Sequence, residues 1–160
     1  MKNKSLILWG IVIGVFVLAV ILISSNSASA YQNLKSFDGE MKFYKSSTCG
    51  CCEVYSSYFK SKGSSKIEIV NGIDNTKIME KYGIPKSLES CHTTIIGDYF
   101  IEGHVPLEAI EKLLLEKPDI AGIGIPGMPN GSPGMPGSKT GDFVIYGINN
   151  DGSSFEFMRI

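Results

Sequence analysis

An apolar stretch dominates the start of the chain. The residues from Leu6 to Ile23 are apolar, interrupted only by two glycines, and two lysines precede them. The small-residue sequence Ala28-Ser29-Ala30 follows. Residues 1–30 are therefore predicted to be a secretory signal peptide or, because residues 6–23 are just long enough to span a bilayer, a membrane anchor. Both interpretations put residues 31–160 outside the cytoplasm, since the lysines precede the apolar run.

After a linker at residues 31–40, the hydrophobic pattern alternates between strand and helix periods. Residues 41–44 alternate like a half-buried strand, and the turn Gly97-Asp98 between two apolar runs predicts a hairpin. The first predicted helix should turn Val54, Tyr58 and Phe59 inward, and the third should bury Ile110, Leu113 and Leu114. The predicted elements are strands at residues 41–44, 67–69, 93–96 and 99–101, and helices at residues 53–61, 75–82 and from Pro106 to near Pro118.

This β-α-β-α-β-β-α order is the arrangement of thioredoxin-like proteins. The predicted fold class is α/β: a thioredoxin-like mixed sheet flanked by helices at residues 41–160, following an N-terminal hydrophobic helix. The Asp-Gly turn near residue 151 adds a C-terminal β-hairpin. Residues 121–142 lie between the last predicted helix and the C-terminal hairpin and contain seven glycines and four prolines. In this segment Pro-Gly-Met-Pro occurs twice, at residues 126–129 and 133–136. This composition predicts a loop.

The charge balance narrows the possible partners. Lys and Arg total 15, Asp and Glu total 16, and the formal net charge is -1. No strong basic field is present, so a nucleic-acid partner is not expected. All four cysteines follow residue 30, in a region large enough to bury a core without disulfides. We therefore expect the cysteines to carry chemistry.

Three of the cysteines form the sequence Cys49-Gly50-Cys51-Cys52. They lie in a turn that leads into a predicted helix, where free backbone N–H groups and the helix dipole favour thiolates. Such thiolates suit both disulfide exchange and soft-metal binding. The third thiol favours a metal, because a Cu(I) or Zn(II) site gains from each added sulfur. A purely stabilising Cys49–Cys52 disulfide would close only a very short loop.

The remaining candidates lie further along the chain. In a thioredoxin-like fold Cys91, just before the third strand, faces the cysteine turn, and no proline stands at that position here. His92 is either a ligand or a buried histidine that points away from the site with its hydrogen bonds satisfied. His104 is either a ligand or a capping or solvent-facing residue. Met128 and Met135 occupy the repeated loop sequence, where a thioether could bind Cu(I) or simply pack.

Taken together, four separated motifs resemble the metal-binding family long filed as domain of unknown function 411, whose characterised kind is the CopG-type copper-resistance protein of bacterial envelopes. The resemblance covers about residues 40 to 158, and its motifs are residues 44–52, 90–93, 102–106 and 126–135. It implies a thioredoxin-like fold, copper bound by cysteines and a redox role in copper handling. It points to Cys49, Cys52 and Cys91 as core ligands, with Cys51 in the same motif. The motif positions whose roles stay open are His92, His104, Met128 and Met135.

The predicted function is an extracytoplasmic copper-binding protein, secreted, periplasmic or membrane-anchored, that sequesters or redox-cycles copper, chiefly Cu(I). Its expected partners are copper ions, the membrane if residues 6–23 are retained, and a copper-transport or redox protein. One alternative is a membrane-tethered thiol-disulfide oxidoreductase with Cys49 as attacking thiol and Cys52 as resolving thiol. Another is a zinc-stabilised module, which would leave His104 and the methionines unexplained.

Overall fold

The structure is a computed structural model that describes Gly14 and residues 30–160. The chain divides into two units, Met1–Gln32 and Asn33–Ile160. The predicted signal peptide or anchor lies, apart from Gly14 and Ala30, outside the described residues. Within the described residues, none of the helices combines the length and apolar character that crossing a bilayer requires.

Residues 30–160 form helices and one sheet. The α-helices are α1 (Gln32–Ser36), α2 (Gly50–Tyr58), α3 (Asn75–Lys81) and α4 (Leu107–Glu116), and α2 continues into a π-helix at Phe59–Gly63. The strands are β1 (Met41–Lys45), β2 (Glu68–Asn71), β3 (His92–Ile96), β4 (Tyr99–Glu102), β5 (Gly122–Gly124), β6 (Val144–Ile148) and β7 (Ser154–Arg159).

The seven strands form a mixed sheet in the order β2-β1-β3-β4-β5-β6-β7. The β1–β2 and β4–β5 pairs are parallel, and the other neighbouring pairs are antiparallel. The predicted α/β class, the order of elements from β1 to α4 and the C-terminal hairpin are confirmed. The turns Gly97-Asp98 and Asp151-Gly152 connect the two predicted hairpins.

The strand register brings the cysteine segments to one edge of the sheet. Lys45, the last residue of β1, pairs with His92, the first residue of the antiparallel strand β3. The chain therefore leaves β1 toward Cys49 at the edge where Cys91 enters β3. Because β3 lies between two other strands and every one of its residues is buried, the cysteine segments meet at the edge of the buried core.

The apolar faces of the helices pack on this sheet. As predicted, α4 buries Ile110, Leu113 and Leu114. The prediction for α2 is confirmed for Phe59, which is fully buried, and wrong for Val54, which is 58% exposed. Tyr58 is half-buried, and the fully buried tyrosine is Tyr55. The helix begins at Gly50 rather than at residue 53, and the buried residues Cys52, Tyr55 and Phe59 follow one helical face.

Two short elements occur where a linker or loop was expected. Helix α1 lies within residues 31–40, where buried Leu34 and its neighbour Asn33 donate backbone N–H groups to the Glu111 carboxylate at 2.9 and 2.8 Å. Strand β5 lies in the glycine-rich region, between β4 and β6. Gly122 is required there, because a Cβ at this position would collide with the Phe100 carbonyl oxygen.

Candidate metal centre

The cysteine turn forms the N-terminus of α2. Cys49 is its N-cap residue: the Cys52 N–H donates to Cys49 Sγ at 3.3 Å, and the Glu53 N–H donates to the Cys49 carbonyl at 3.3 Å. Cys49 and Cys52 are joined as a disulfide, whereas Cys51 and Cys91 are free thiols. The turn therefore exists here in its oxidised form, with two thiols left beside it.

Cys91 brings the four cysteines together, as predicted from the sequence. Its Sγ lies 3.2 Å from Cys52 Sγ and 3.8 Å from Cys51 Sγ. Cys51 Sγ is in turn 3.5 Å from Cys49 Sγ. All four sulfurs lie within 4.8 Å of one another. The spacing is short enough for a single soft metal ion, or a small group of ions, to contact several sulfurs.

Both buried histidines lie next to the same cysteine, Cys91. His92 Nδ1 lies 3.8 Å and His104 Nε2 3.9 Å from Cys91 Sγ. Both side chains are fully buried, and their rings make an edge-on contact with centroids 4.8 Å apart. Within the described part of the chain, His92 Nε2 has no hydrogen-bond partner. Buried polar atoms are normally paired, so this nitrogen is an exception, and it is not the ring nitrogen that faces Cys91.

Aromatic rings fix the orientation of the imidazoles. The His92 ring stacks on Phe43 with centroids 4.7 Å apart and packs against Tyr55 at 4.9 Å. Tyr55 also contacts the edge of His104 at 5.3 Å, and its hydroxyl donates to the Val105 carbonyl at 2.6 Å. The histidines are thus held from one side while Cys91 occupies the other.

Burial keeps Cys91 and the two imidazoles uncharged in the absence of a metal. It is the main cause that raises the pKa of Cys91 to about 12, and the adjacent Cys51 raises it further. Burial also lowers the pKa of His92 to about 3, with a smaller contribution from His104, and lowers the pKa of His104 itself. Near neutral pH the Cys91 group is therefore a thiol and the imidazoles are neutral, with lone pairs available to a metal.

The glycine- and proline-rich loop folds over this group. Met128 Sδ lies 3.6 Å from Cys91 Sγ, and Met128 has φ +47°, in the left-handed region that non-glycine residues rarely adopt. Met135 is half-buried on the same loop. Within residues 30–160, no hydrogen bond joins its sulfur to a cysteine or histidine. The structure thus brings Met128 to the centre, whereas a role for Met135 stays a prediction.

Three groups that support the centre were not predicted from the sequence. Tyr55 packs on the histidines, the Pro133 carbonyl contacts His104 Nδ1 at 2.7 Å, and Glu102 anchors the segment around Cys91. The buried Glu102 carboxylate accepts hydrogen bonds from the Ser90 N–H and hydroxyl, each at 2.7 Å, and from the Thr93 hydroxyl at 2.6 Å. Of these three groups, only Tyr55 has a signal in the sequence: it follows Cys52 by three residues, a spacing that puts both side chains on the same face of a helix.

The donor set determines which metals fit. Two groups of metal-ligand atoms share one cysteine: the first contains Cys49, Cys51, Cys52 and Cys91, and the second contains Cys91, His92 and His104. These are cysteine sulfur and imidazole donors, with a thioether beside them and no carboxylate among them. Such donors suit Cu(I) and Zn(II) and do not suit Mg²⁺ or Ca²⁺, which prefer oxygen. The chain thus presents a candidate soft-metal centre on a mixed α/β scaffold.

Comparisons with known proteins agree with this class. The family described as "Protein of unknown function, DUF411" matches residues 88–135. Two solved structures, form 1 and form 2 of a copper resistance protein CopG, are similar to this chain with 29% identity and a TM-score of 0.66. The matches cover 77% and 76% of this chain, respectively, and 98% of the other chain. No curated protein matches. The resemblance to the DUF411, CopG-type family is confirmed.

Proposed function

We propose that this chain is a copper-handling protein that binds Cu(I) through its cysteine cluster. The observation that carries the proposal is the convergence of three cysteine sulfurs, two imidazoles and the Met128 thioether around the fourth cysteine, Cys91. Cys49, Cys51, Cys52 and Cys91 are the thiolate ligands, and His92, His104 and Met128 complete the set. Met135 is retained as a second thioether candidate. The similarity to a copper resistance protein supports copper as the metal.

The proposed fold is thioredoxin-like. In support, β2-β1-β3-β4 has one parallel and two antiparallel pairs, and α2 begins at the cysteine turn that follows β1. Strands β5 to β7 extend this unit. The segment before β3 carries a cysteine instead of a proline. Cys91 places a fourth cysteine sulfur within reach of the turn, which favours metal binding over simple disulfide exchange.

The disulfide suggests how copper binding is coupled to oxidation. In the proposed redox reaction, the Cys49 and Cys52 thiols give up two electrons and two protons and become the disulfide. Two Cu(II) ions accept one electron each and become Cu(I). Cys51, Cys91 and Met128 remain as soft donors for the Cu(I) so formed. Sequestration alone requires only the reduced, four-thiol form.

The experiment is an anaerobic Cu(I) titration of the full-length, reduced protein in detergent, in competition with a Cu(I) chelator. Tight binding that is lost when all four cysteines are replaced by serine is the expected result. A cysteine-free variant that binds as tightly as the wild type would contradict the proposal. Adding Cu(II) to the reduced protein under the same conditions tests redox cycling, which predicts one disulfide formed for every two Cu(I) ions.

A thiol-disulfide oxidoreductase is the second candidate, and the Cys49–Cys52 disulfide at a helix N-terminus favours it. In this reaction the Cys49 thiolate attacks a partner disulfide, and Cys52 then releases the partner as its dithiol. An insulin-reduction assay separates the two candidates. Turnover by the wild type that is abolished by Cys49→Ser but unaffected by Cys91→Ser would favour the oxidoreductase, because Cys91 has no part in that reaction.

We also propose an extracytoplasmic location, secreted, periplasmic or tethered to the membrane by residues 6–23. The two lysines before the apolar run and the disulfide-bonded cysteines support it. A copper-transport or redox protein would then exchange metal or electrons with the centre. A reporter enzyme fused after residue 160, active only outside the cytoplasm, tests the location, and activity of a cytoplasmic reporter instead would contradict it.

A further inference from the structure

The two copies of Pro-Gly-Met-Pro meet the candidate centre in different ways. The first copy, residues 126–129, brings the Met128 sulfur to 3.6 Å from Cys91 Sγ. The second copy, residues 133–136, brings a backbone group instead: the Pro133 carbonyl oxygen lies 2.7 Å from His104 Nδ1. The repeat in the sequence therefore does not correspond to two equivalent contacts in the structure.

We propose that the second copy is a positioning element that fixes the tautomer of His104. The Pro133 carbonyl holds the proton of the imidazole on Nδ1 and so leaves the Nε2 lone pair directed at the metal. The identity of that metal rests on the proposed copper-binding function, whereas the tautomer is a property of the metal-free protein.

The direction of the hydrogen bond follows from the chemistry of the carbonyl group. A carbonyl oxygen only accepts hydrogen bonds, so a contact of 2.7 Å requires the hydrogen to be on Nδ1. In a neutral imidazole the other nitrogen then carries a lone pair. That nitrogen, Nε2, is the one that lies 3.9 Å from Cys91 Sγ. A carbonyl partner of this kind orients a histidine ligand and raises its basicity.

Gly134 allows the Pro133 carbonyl to reach His104. It has φ +82°, and a Cβ at this position would lie 2.9 Å from the backbone nitrogen of Tyr55 and 2.9 Å from its Cβ. The loop backbone therefore lies directly against helix α2, with no room for a side chain. Because the obstacle includes backbone atoms of a buried helical residue, the loop rather than the helix would have to move.

Hydrogen bonds within the loop hold the carbonyl in this direction. The Ser132 hydroxyl and N–H donate to the Pro129 carbonyl at 2.8 and 3.1 Å, and the Met135 N–H donates to the Ser132 carbonyl at 2.9 Å. Ser132 itself is buried. Ser132 thus joins two consecutive turns, and Pro133 lies inside the second one, which restricts the direction of its carbonyl.

The chain offers a matched control in the first copy. Gly127 occupies the same place in the repeat as Gly134 and has a similar φ of +75°, but nothing lies within 4 Å of the position of its Cβ. Alanine at either position introduces the strain of a left-handed backbone. Only Gly134→Ala adds a collision with α2, so a difference between the two variants reports on loop docking.

The experiment uses the full-length, metal-free protein in detergent, with ¹⁵N-labelled histidine. The chain has only two histidines, so the ¹H–¹⁵N correlations of the two rings are assigned with a single His104→Gln variant. The expected wild-type spectrum has a protonated Nδ1 and an unprotonated Nε2 for His104. We expect Gly127→Ala to keep this pattern and Gly134→Ala to give a mixture of tautomers. Ser132→Ala, which removes one loop hydrogen bond, should give a smaller change in the same direction.

The inference is overturned if His104 is protonated on Nε2 in the wild type, or if Gly134→Ala and Ser132→Ala both keep the wild-type tautomer. Circular dichroism identifies an unfolded variant, and Ser132→Ala then provides the test. In a parallel Cu(I) titration, Gly134→Ala should weaken binding by about tenfold, the lower end of the range for groups that orient a ligand. A wild type that fails to bind Cu(I) would overturn the proposed function but not the tautomer assignment.

Discussion

Cys91 is the residue through which all parts of the candidate centre are connected. It contacts the sulfurs of the turn, both imidazoles and the Met128 thioether, and it is the cysteine shared by the two groups of ligand atoms. At the scale of single residues, the function of the centre therefore depends on this side chain as much as on the cysteine turn. Two predictions test this dependence.

Cys91→Ser should weaken Cu(I) binding at least as much as Cys49→Ser does, because each change removes one sulfur and Cys91 also connects the cysteines to the histidines. The measurement is a competition titration of the reduced proteins against a Cu(I) chelator. Thermal unfolding of the metal-free variants serves as the control for folding. Wild-type affinity in Cys91→Ser would remove this residue from the site.

The pKa of Cys91, raised to about 12 mainly by burial, predicts a pH dependence. Near neutral pH the metal must displace the thiol proton, so each proton displaced makes the apparent affinity rise about tenfold per pH unit. Cu(I) titrations between about pH 6 and about pH 8 should have a steeper slope for the wild type than for Cys91→Ser, by one proton. Identical slopes would mean that Cys91 binds no metal or is already a thiolate.

At the scale of elements, the part of the fold that was predicted is the part whose hydrophobic period is strong. Helix α4 and the two hairpins have clear apolar patterns and turn residues, and they lie where the sequence predicts them. Strand β5 contains two glycines and a single apolar side chain, Ile123. It is a strand because β4 and β6 pair with it on both sides, which no local pattern reveals.

The inward face of α2 could not be predicted for a related reason. The apolar residues of α2 fit more than one helical face, and which face is buried depends on the residue at which the first turn begins. Cys49 as N-cap starts the helix at Gly50 and puts Cys52 and Tyr55 on the buried side. The cysteines of the candidate site were recognisable from their spacing. The supporting contacts of Pro133 and Glu102 were not, because a backbone carbonyl and a buried carboxylate depend on tertiary structure.

The loop between β5 and β6 allows a prediction that separates its two methionines. Met128→Leu should weaken Cu(I) binding by about tenfold, or about 1.4 kcal/mol, because the thioether lies beside Cys91 and leucine has similar volume without the sulfur. Zinc binding should change little, since thioethers favour Cu(I). Met135→Leu is the matched comparison and should have the smaller effect on copper. Equal Cu(I) affinity in the wild type and Met128→Leu would assign the loop a packing role only.

At the scale of the whole molecule, the buried Glu102 carboxylate links the centre to the stability of the fold. Burial raises its pKa from 4.5 to about 7, although hydrogen bonds from Thr93 and Ser90 oppose the shift. The folded protein therefore holds this proton more tightly than the unfolded chain does. The stability that Glu102 contributes is present in full below about pH 4.5 and decreases as the pH rises to about 7.

Glu102→Gln should remove this dependence, because the amide stays neutral and can still accept the hydrogen bonds of Ser90. The difference in free energy of unfolding between variant and wild type should change by an amount on the order of 3 kcal/mol, in favour of the variant, between acidic and neutral pH. Thermal unfolding of the metal-free proteins measures it. Taking the difference cancels His92 and His104, whose lowered pKa values act in the opposite direction. A difference that does not vary with pH would mean that folding leaves the pKa of Glu102 unchanged.

The pairing of neighbouring strands also implies an order of assembly during folding. The cysteine turn and Cys91 come together as soon as β1 pairs with β3, which needs no residue beyond His92 and its strand. Met128 and Pro133 belong to the loop between β5 and β6, which comes later in the chain than β1 and β3. In a chain emerging from the ribosome or the translocation machinery, all four cysteines can thus come together before the loop between β5 and β6 has been released. During that interval the sulfurs are open to metal ions and oxidants that the finished loop partly covers.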